Sequence, residues 1–291
     1  MAGVKQYETD IAIVGAGGAG VAAGIEARDA GARVIALEKS SEPGGAAIIS
    51  GGGCLVVGSP LQQQNGIQDT PDLAFKDWIA WGGPSADAVW ARYYIEHTLH
   101  DLYHWAERLG VRWVDLKAQE GNSVLRWTRP ERNGLGLMTH LIESFRTKGG
   151  EIIPETEITA LRLEGGRVTG LEGCNAKTGE PVAVSSKAVV VATGGFNSNL
   201  EMVLEFKPAL GNHKAGAARR EPGTNSFVRW AAISRTWTRS GSTSTPRQTT
   251  ATPRSAAASC FVWCPATSGS ISRAAGFTMR RYRAATPRLP R

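Results

Sequence analysis

Residues 10–20 read Asp10-Ile11-Ala12-Ile13-Val14-Gly15-Ala16-Gly17-Gly18-Ala19-Gly20. The apolar run to Val14 breaks off in glycines, as a strand buried on both faces of a parallel sheet does. Gly15, Gly17 and Gly20 satisfy the spacing G-x-G-x-x-G. Each has its own reason in that motif: a tight strand-to-helix turn, close approach of backbone to a pyrophosphate, and tight packing of helix on strand. Val21 to Ala30 reads as a helix with small apolar faces from Val21, Ala22, Ile25, Ala27 and Ala30, and Gly31 ends it. Its N-terminus offers free N–H groups and the positive end of the helix dipole. Arg33 to Leu37 is a second strand, which makes residues 9–39 a βαβ unit. Glu38 follows at once, where a carboxylate can accept hydrogen bonds from ribose hydroxyls. The glycine pattern alone is weak. Between a strand and a helix, with an acid after the next strand, it predicts a dinucleotide site; a ligand-free glycine turn is the alternative.

Outward from this unit the α/β pattern continues. Gly44 to Gly53 is a glycine-rich loop. Helices are predicted over 72–81 and 86–109, with Pro71 and Pro84 near their starts. Trp78, Trp81, Trp90 and Trp105 fall on them and read as core or cap packing. Leu135 to Lys148 is amphipathic and closes at Gly149-Gly150. Glu151 to Pro154 gives a short strand, and three β-like runs follow: Glu157 to Leu163, Arg167 to Cys174 and Pro181 to Ser185. Gly165-Gly166 and Thr178-Gly179 mark the turns between them. Ala188 to Ala192 returns to a buried parallel-type strand before Thr193-Gly194-Gly195. The expected domain is 1–213, with a βαβ unit at 9–39, a helical segment at 71–148, a β-meander at 156–185 and a closing strand at 188–195.

Several of these segments carry a resemblance together. Ile13 to Gly20, Leu37-Glu38-Lys39, Gly44-Gly45, Ser50-Gly51-Gly52, the three β-runs and Ala192-Thr193-Gly194-Gly195-Phe196 resemble the flavoprotein family of fumarate reductases, succinate dehydrogenases and 3-ketosteroid dehydrogenases. Within it, soluble dehydrogenases acting on tricarballylate and similar substrates are the most similar. The resemblance runs in order through residues 9–213. It implies FAD rather than NAD(P), and a Rossmann-like FAD-binding fold: a parallel sheet with a β-meander and a helical insertion. It also implies hydride transfer between flavin N5 and a carbon activated by a carboxylate or ketone, hence a small-molecule substrate. Carried onto this chain, Gly15, Gly17, Gly18, Ala19 and Gly20 face the pyrophosphate. Glu38 binds the adenosine ribose, with Lys39 beside it. Gly45, Ser50, Gly51 and Gly52 line the flavin side. Ile158 offers its backbone to adenine, and Thr193 and Gly194 close over the cofactor; plain strand packing is the alternative for Ile158 and Thr193. Membrane-bound relatives join FAD to a histidine of the glycine-rich loop. Residues 44–53 contain none, which implies non-covalent FAD.

Composition sets outer bounds. A chain of 291 residues makes one large domain or two ordinary ones. The net charge of +7 would suggest an anionic partner. However, residues 222–291 hold 11 arginines, no lysine and no acid, while all 26 Asp+Glu lie before them. The basic character belongs to an Arg/Ser/Thr/Pro-rich tail from about 214, irregular in pattern. Nucleic-acid binding through that tail is an alternative reading that no recognition motif supports, and an NAD(P)-binding oxidoreductase is another. Met1 to Glu8 does not read as a signal peptide, and no apolar stretch approaches the roughly 20 residues that span a bilayer. A cytoplasmic location is therefore the default. Four cysteines are too few for a disulfide framework, and Cys260 and Cys264 lack companions at zinc spacing. His97, His100 and His104 could share a helix face but read as surface or packing residues, so no metal is expected. Arg126, Arg129 and Arg132 read as a solvated loop, with an anionic substrate as the alternative.

The family's catalytic groups lie in its C-terminal half, and nothing in 214–291 resembles them, so no catalytic residue is named. The tail's composition is that of a GC-rich gene read out of frame after roughly residues 214–226. Read two nucleotides later, the codons from Gly216 onward permit a Gly-Ala-x-x-Gly run and then Leu-Gly-Gly-Asp-Leu, of the kind the family has after its Thr-Gly-Gly turn.

Overall fold

The computed structural model describes residues 4–195, 204–205 and 261–263. Phe196 and nearly all of the predicted irregular tail lie outside them. Strand β1 (Lys5–Val14) is the centre of the molecule, and helix α1 (Gly18–Asp29) carries the chain from it to β2 (Val34–Leu37). β1 begins five residues earlier than its apolar run predicts. Polar Lys5 to Thr9 are recruited by parallel pairing with a distant strand, from Lys5↔Val182 to Val14↔Val191. β2 pairs parallel on the other side of β1, Ile11↔Val34 to Val14↔Leu37.

The insertion is richer than a run of helices. It holds α2 (Gly45–Ile48), β3 (Cys54–Leu55), α3 (Pro60–Gln64), α4 (Pro71–Gly82), α5 (Ala88–His97), α6 (Trp105–Arg108), β4 (Trp113–Lys117), β5 (Trp127–Pro130) and α7 (Asn133–Thr147). The helix expected over 86–109 is interrupted by a π-helical turn at Thr98–His104. The segment 71–148, expected to be helical, contains β4 and β5, which join β3 in a small antiparallel sheet ordered β3-β5-β4. Helix starts follow local chemistry: Thr70 caps α4 just before Pro71, and the Asp87 carboxylate accepts from Val89 and Trp90 N–H at the start of α5.

β6 (Glu151–Ile153) then pairs parallel with β2. β7 (Thr156–Glu164) and β8 (Arg167–Asn175) form a hairpin that leads into β9 (Pro181–Val191). The runs at 181–185 and 188–192, expected as separate strands, are this one strand. Its first half pairs with β8 and its whole length with β1, so polar Ser186-Lys187 does not break it. The main sheet runs β6-β2-β1-β9-β8-β7, and β10 (Phe261–Trp263) pairs antiparallel with β9 at Val189–Val191.

Alternation along the strands divides the core between two faces. Ile13, Val34, Ala36 and Val190 pack with Val21 and Ile25 of α1 and Met138, Leu141, Ile142 and Phe145 of α7. Ala12, Val14, Ile35, Leu37 and Val189 face the other way, onto Ile158, Leu171 and Val184 of the meander. Phe145 seats against α1 only because residue 24 is glycine; a Cβ there would lie 2.6 Å from its ring. Of the tryptophans, Trp105 packs on the first cluster and donates its indole N–H to Glu26 at 2.6 Å, and Trp78 packs beside Ala74 and Ile95. Trp81 and Trp90 are 65% and 51% exposed, contrary to the packing role expected of them.

Arg126 corrects both readings made of it: it neither sits on a solvated loop nor faces a substrate. It is fully buried. Nε and Nη2 grip Asp69 at 3.0 and 2.9 Å, while Nη1 reaches Asp77 at 2.6 Å and Asn122 at 2.8 Å. Gln62 donates to Asp69, and the Ser123 N–H and hydroxyl donate to Asp77. Burial pulls the guanidinium pKa down, but the two carboxylates more than offset it, so the net shift is upward. Burial likewise pushes the Asp77 carboxyl up, but hydrogen bonds from Ser123 and Arg126 hold it below the usual carboxylate value. Replacing Arg126 by Met leaves two uncompensated carboxylates and should lower the urea-unfolding free energy by about 3–5 kcal/mol. Because the folded Asp77 value lies below the unfolded one, its stabilisation is complete above the unfolded value (about 3.9) and fades as pH falls through the folded value. The wild-type urea midpoint should therefore fall more steeply on acidification below about pH 4 than that of Asp77→Asn.

Candidate cofactor site

The glycines of the first turn are of two kinds. Gly15 has φ +99°, and a Cβ on it would lie 2.5 Å from Ala192 O. A Cβ on Gly20 would overlap Gly15 O. These two are required by the fold itself. Gly17 is not: its φ is −80°, and the nearest atom to a Cβ there is Gly45 Cα at 4.0 Å. What Gly17 leaves is room at the N-terminus of α1. The first N–H groups of a helix have no acceptor within it, and Gly17 carries no side chain to cap them. Gly18, Ala19 and Gly20 form that first turn.

Glu38 is tied to the same turn. Its Oε2 accepts from Ala16 N–H at 2.8 Å and its Oε1 from Ser40 N–H at 3.0 Å. Its backbone is fixed on both sides, N–H to Ile153 O at 2.9 Å and C=O from Thr156 N–H at 2.8 Å. A carboxylate has about four acceptor positions, so this one keeps capacity beyond its two amide donors. Lys39 lies 3.5 Å from Glu157 at the start of β7. The Ile158 side chain is buried in the meander-side core, and Ala192 N–H bonds Val14 O at 2.9 Å, which brings Thr193 Cα within 3.5 Å of a Cβ on Gly15. Gly194 has φ +74°, and among the described residues nothing lies within 4 Å of where its Cβ would be.

The second glycine loop reaches this turn through Gly44, whose N–H donates to Ala16 O at 2.9 Å. Gly45 has φ +52° and faces Gly17. Ser50 Oγ donates to Ala47 O and accepts from Gly52 N–H, at 2.8 and 3.0 Å. Gly51 has open space where its side chain would be. Sequence reasoning missed one segment here: Asn133-Gly134 at the start of α7 abuts Ser50 and Gly52. The dipeptide Asn-Gly, tolerant of left-handed backbone, was its available signal.

Other candidates stand elsewhere. His97 donates to Tyr93 O at 2.6 Å, His100 meets Asp101 and His104 meets Glu107. Among the described residues no group of three or more His, Cys, Asp or Glu is placed to hold a metal, and no helix is long and apolar enough to cross a membrane. Arg129 pairs with Asp115 at 3.6 Å, and Arg132 lines a cavity of about 220 Å³ with Arg112, Glu131 and His140. Burial pushes the Cys54 thiol up to about 11, so beside the glycine loop it remains a protonated thiol at neutral pH.

A parallel sheet with a glycine turn, an acid after β2 and a β-meander defines a Rossmann-type dinucleotide-binding flavoprotein domain. The chain belongs to the FAD binding domain family, whose model matches residues 10–226. It is 31% identical to the NADH:fumarate oxidoreductase of Klebsiella pneumoniae over 218 residues, which is 72% of this chain and 23% of that protein. It is 33% identical to the urocanate reductase of Eggerthella lenta over 207 residues, 70% of this chain and 34% of the relative. The structure is similar to the 3-ketosteroid-Δ4-(5α)-dehydrogenase of Rhodococcus jostii RHA1, with TM-score 0.67 and 27% identity over 79% of this chain and 54% of that one. The chain thus spans between about a quarter and a third of the curated relatives named here. FAD is the cofactor of this family of domains, and the room at Gly17, the uncapped α1 terminus and the spare acceptor positions of Glu38 fit it.

This geometry separates ligand from fold. Gly17→Ala should change the unfolding free energy by less than about 1 kcal/mol. It should weaken FAD by about tenfold or more, because the added methyl occupies the room at the helix terminus. Urea unfolding and an FAD titration on the same protein check both halves.

Proposed function

We propose that this chain is the FAD-holding part of an oxidoreductase acting on a carbon–carbon bond next to a carboxylate or ketone. The observation that carries it is Gly17, a glycine that no contact among the described residues requires, set at an uncapped helix terminus beside an anchored acid. In this reading Gly15, Gly17, Gly18, Ala19 and Gly20 form the pyrophosphate cradle and Glu38 takes the ribose, with Lys39 beside it. Gly45, Ser50, Gly51 and Gly52 line the flavin side. The Ile158 backbone meets adenine, while Thr193 and Gly194 close over the cofactor. FAD is held without a covalent bond, since residues 44–53 carry no histidine. The flavin supplies hydride transfer at N5. The likeness to reductases of fumarate and urocanate and to a ketosteroid dehydrogenase supports a small substrate activated in that way.

The groups that handle the substrate and its proton belong, in this proposal, to the part of the relatives that this chain does not span. The composition change after 214 supports a further point: the codons there are out of frame with a sequence resembling that part. The nucleotide sequence around codons 210–230 tests it, and an alternate frame without such a resemblance overturns it.

On titration with FAD the purified chain should acquire flavin bands near roughly 370 and 450 nm that stay with it through gel filtration. It should show no turnover with fumarate. A folded chain that stays colourless at saturating FAD would overturn the assignment.

A further inference from the structure

The Ser50–Gly52 loop has little structure of its own. Among the described residues the Ser50 hydroxyl ties it to Ala47 and Gly52. What it rests on is the start of α7. Gly134 N–H donates to Ser50 O at 3.0 Å. A Cβ on Gly134 would overlap Ala47 O and lie 2.8 Å from both Ser50 O and Ser50 Oγ. In return, a Cβ on Gly52 would lie 2.5 Å from Gly134 N and 2.6 Å from Asn133 C. Two segments far apart in sequence meet backbone to backbone, each with a glycine at the point of contact.

The approach comes with strain. Arg132 and Asn133 are consecutive non-glycine residues at φ 59° and 58°. Non-glycine residues adopt that conformation uncommonly, Asn more readily than Arg, and strained backbone clusters at ligand sites. Here the surroundings are the Glu131–Gly136 turn, with Gly136 N–H bonded to Arg132 O, and the loop that Gly134 meets. The Glu38 carboxylate is engaged with Ala16 and Ser40, and neither bond involves the Arg132–Gly134 turn.

We infer that the Arg132–Gly134 turn is a positioning element for the flavin side of the site. It presets Ser50-Gly51-Gly52 before the cofactor arrives, so binding does not have to order that loop. Its action falls on the isoalloxazine half of FAD and not on the ADP half, which the α1 turn and Glu38 hold. This rests on the assignment of those two residue groups to the two halves of FAD.

Calorimetric titration of the full chain with FAD and, separately, with ADP tests the inference. Gly134→Ala drives a methyl into Ala47 O and levers the loop away. FAD affinity should fall by at least about tenfold while ADP affinity stays within about twofold. Asn133→Val resists the left-handed conformation without adding a wedge at Ala47, and should give the same split more weakly. Asn133→Gly adopts that conformation freely and should keep wild-type FAD affinity. Should Gly134→Ala not fold, Asn133→Val decides. Equal loss of FAD and ADP, or loss of neither, overturns the positioning role. A wild-type chain that binds neither ligand overturns the cofactor assignment on which the inference stands, and so fails in a distinguishable way.

Discussion

The structure depends on a close approach that two missing methyl groups allow. With no side chain on Gly15, the end of β1 comes up against Ala192 at the end of β9; with none on Gly20, α1 closes onto Gly15. From that approach the other placements follow. Gly15 N–H bonds Leu37 O at 2.8 Å, so β2 ends level with β1 and delivers Glu38 to the turn. The Glu38 carboxylate then takes Ala16 N–H, which fixes the turn from the other side. Below it, Ile13, Val21 and Ile25 are fully buried between sheet and helix. Burial of side chains of this size stabilises by roughly 1.5–3 kcal/mol each, and the seal forms only if the helix starts where Gly20 lets it.

How much of this the sequence disclosed depended on how local each cause is. The strand, the glycines, the helix and the acid are neighbours in sequence, and an apolar run, a spacing and a position show them. β3, β4 and β5 are different. β3 has two residues, and β5 reads Trp127-Thr128-Arg129-Pro130, so neither has a period to detect. They are strands because distant segments pair them. The π-turn at 98–104 is invisible for another reason: no proline or glycine marks it. Arg126 shows the same limit for charge. Between Leu125 and Trp127 it looks like any loop arginine, and its partners Asp69 and Asp77 lie some fifty residues away. A lone charge on a page reads as solvated; the fold supplies the two carboxylates that make burial tolerable.

The candidate site was legible as a set of residues, and in the first glycine turn as a set of reasons too. The motif gives Gly15, Gly17 and Gly20 separate reasons, whereas Gly51 and Gly52 look equivalent in the sequence. In the structure, protein atoms crowd Gly15, Gly20 and Gly52, whereas among the described residues nothing crowds Gly17 or Gly51. A glycine crowded by its own chain explains itself. A glycine with neither crowding nor positive φ has no internal reason, and space kept for something outside the chain becomes the physical account. That distinction supports the proposed cradle at Gly17 and the proposed flavin side at Gly51. It also explains why Gly134 escaped notice: its reason is internal, a contact with Ala47 and Ser50.

β9 links this geometry to the rest of the flavoprotein plan. Its first half lies between β1 and β8, with Gly170↔Ser185 the last pair of the meander. Beyond that pair β8 no longer lies beside it, and the far edge of Val189–Val191 passes to β10. An edge strand offers unpaired N–H and C=O groups to whatever strand can reach them. Val189 and Val190 are nevertheless 3% and 7% exposed, facing opposite core clusters, so both faces of this stretch are committed while its edge is the adjustable part. The next residue is Ala192, whose carbonyl sets the clearance at Gly15, and after it come Thr193 and Gly194. Whatever pairs with Val189–Val191 therefore steadies the Thr193-Gly194 segment beside Gly15 through strand register.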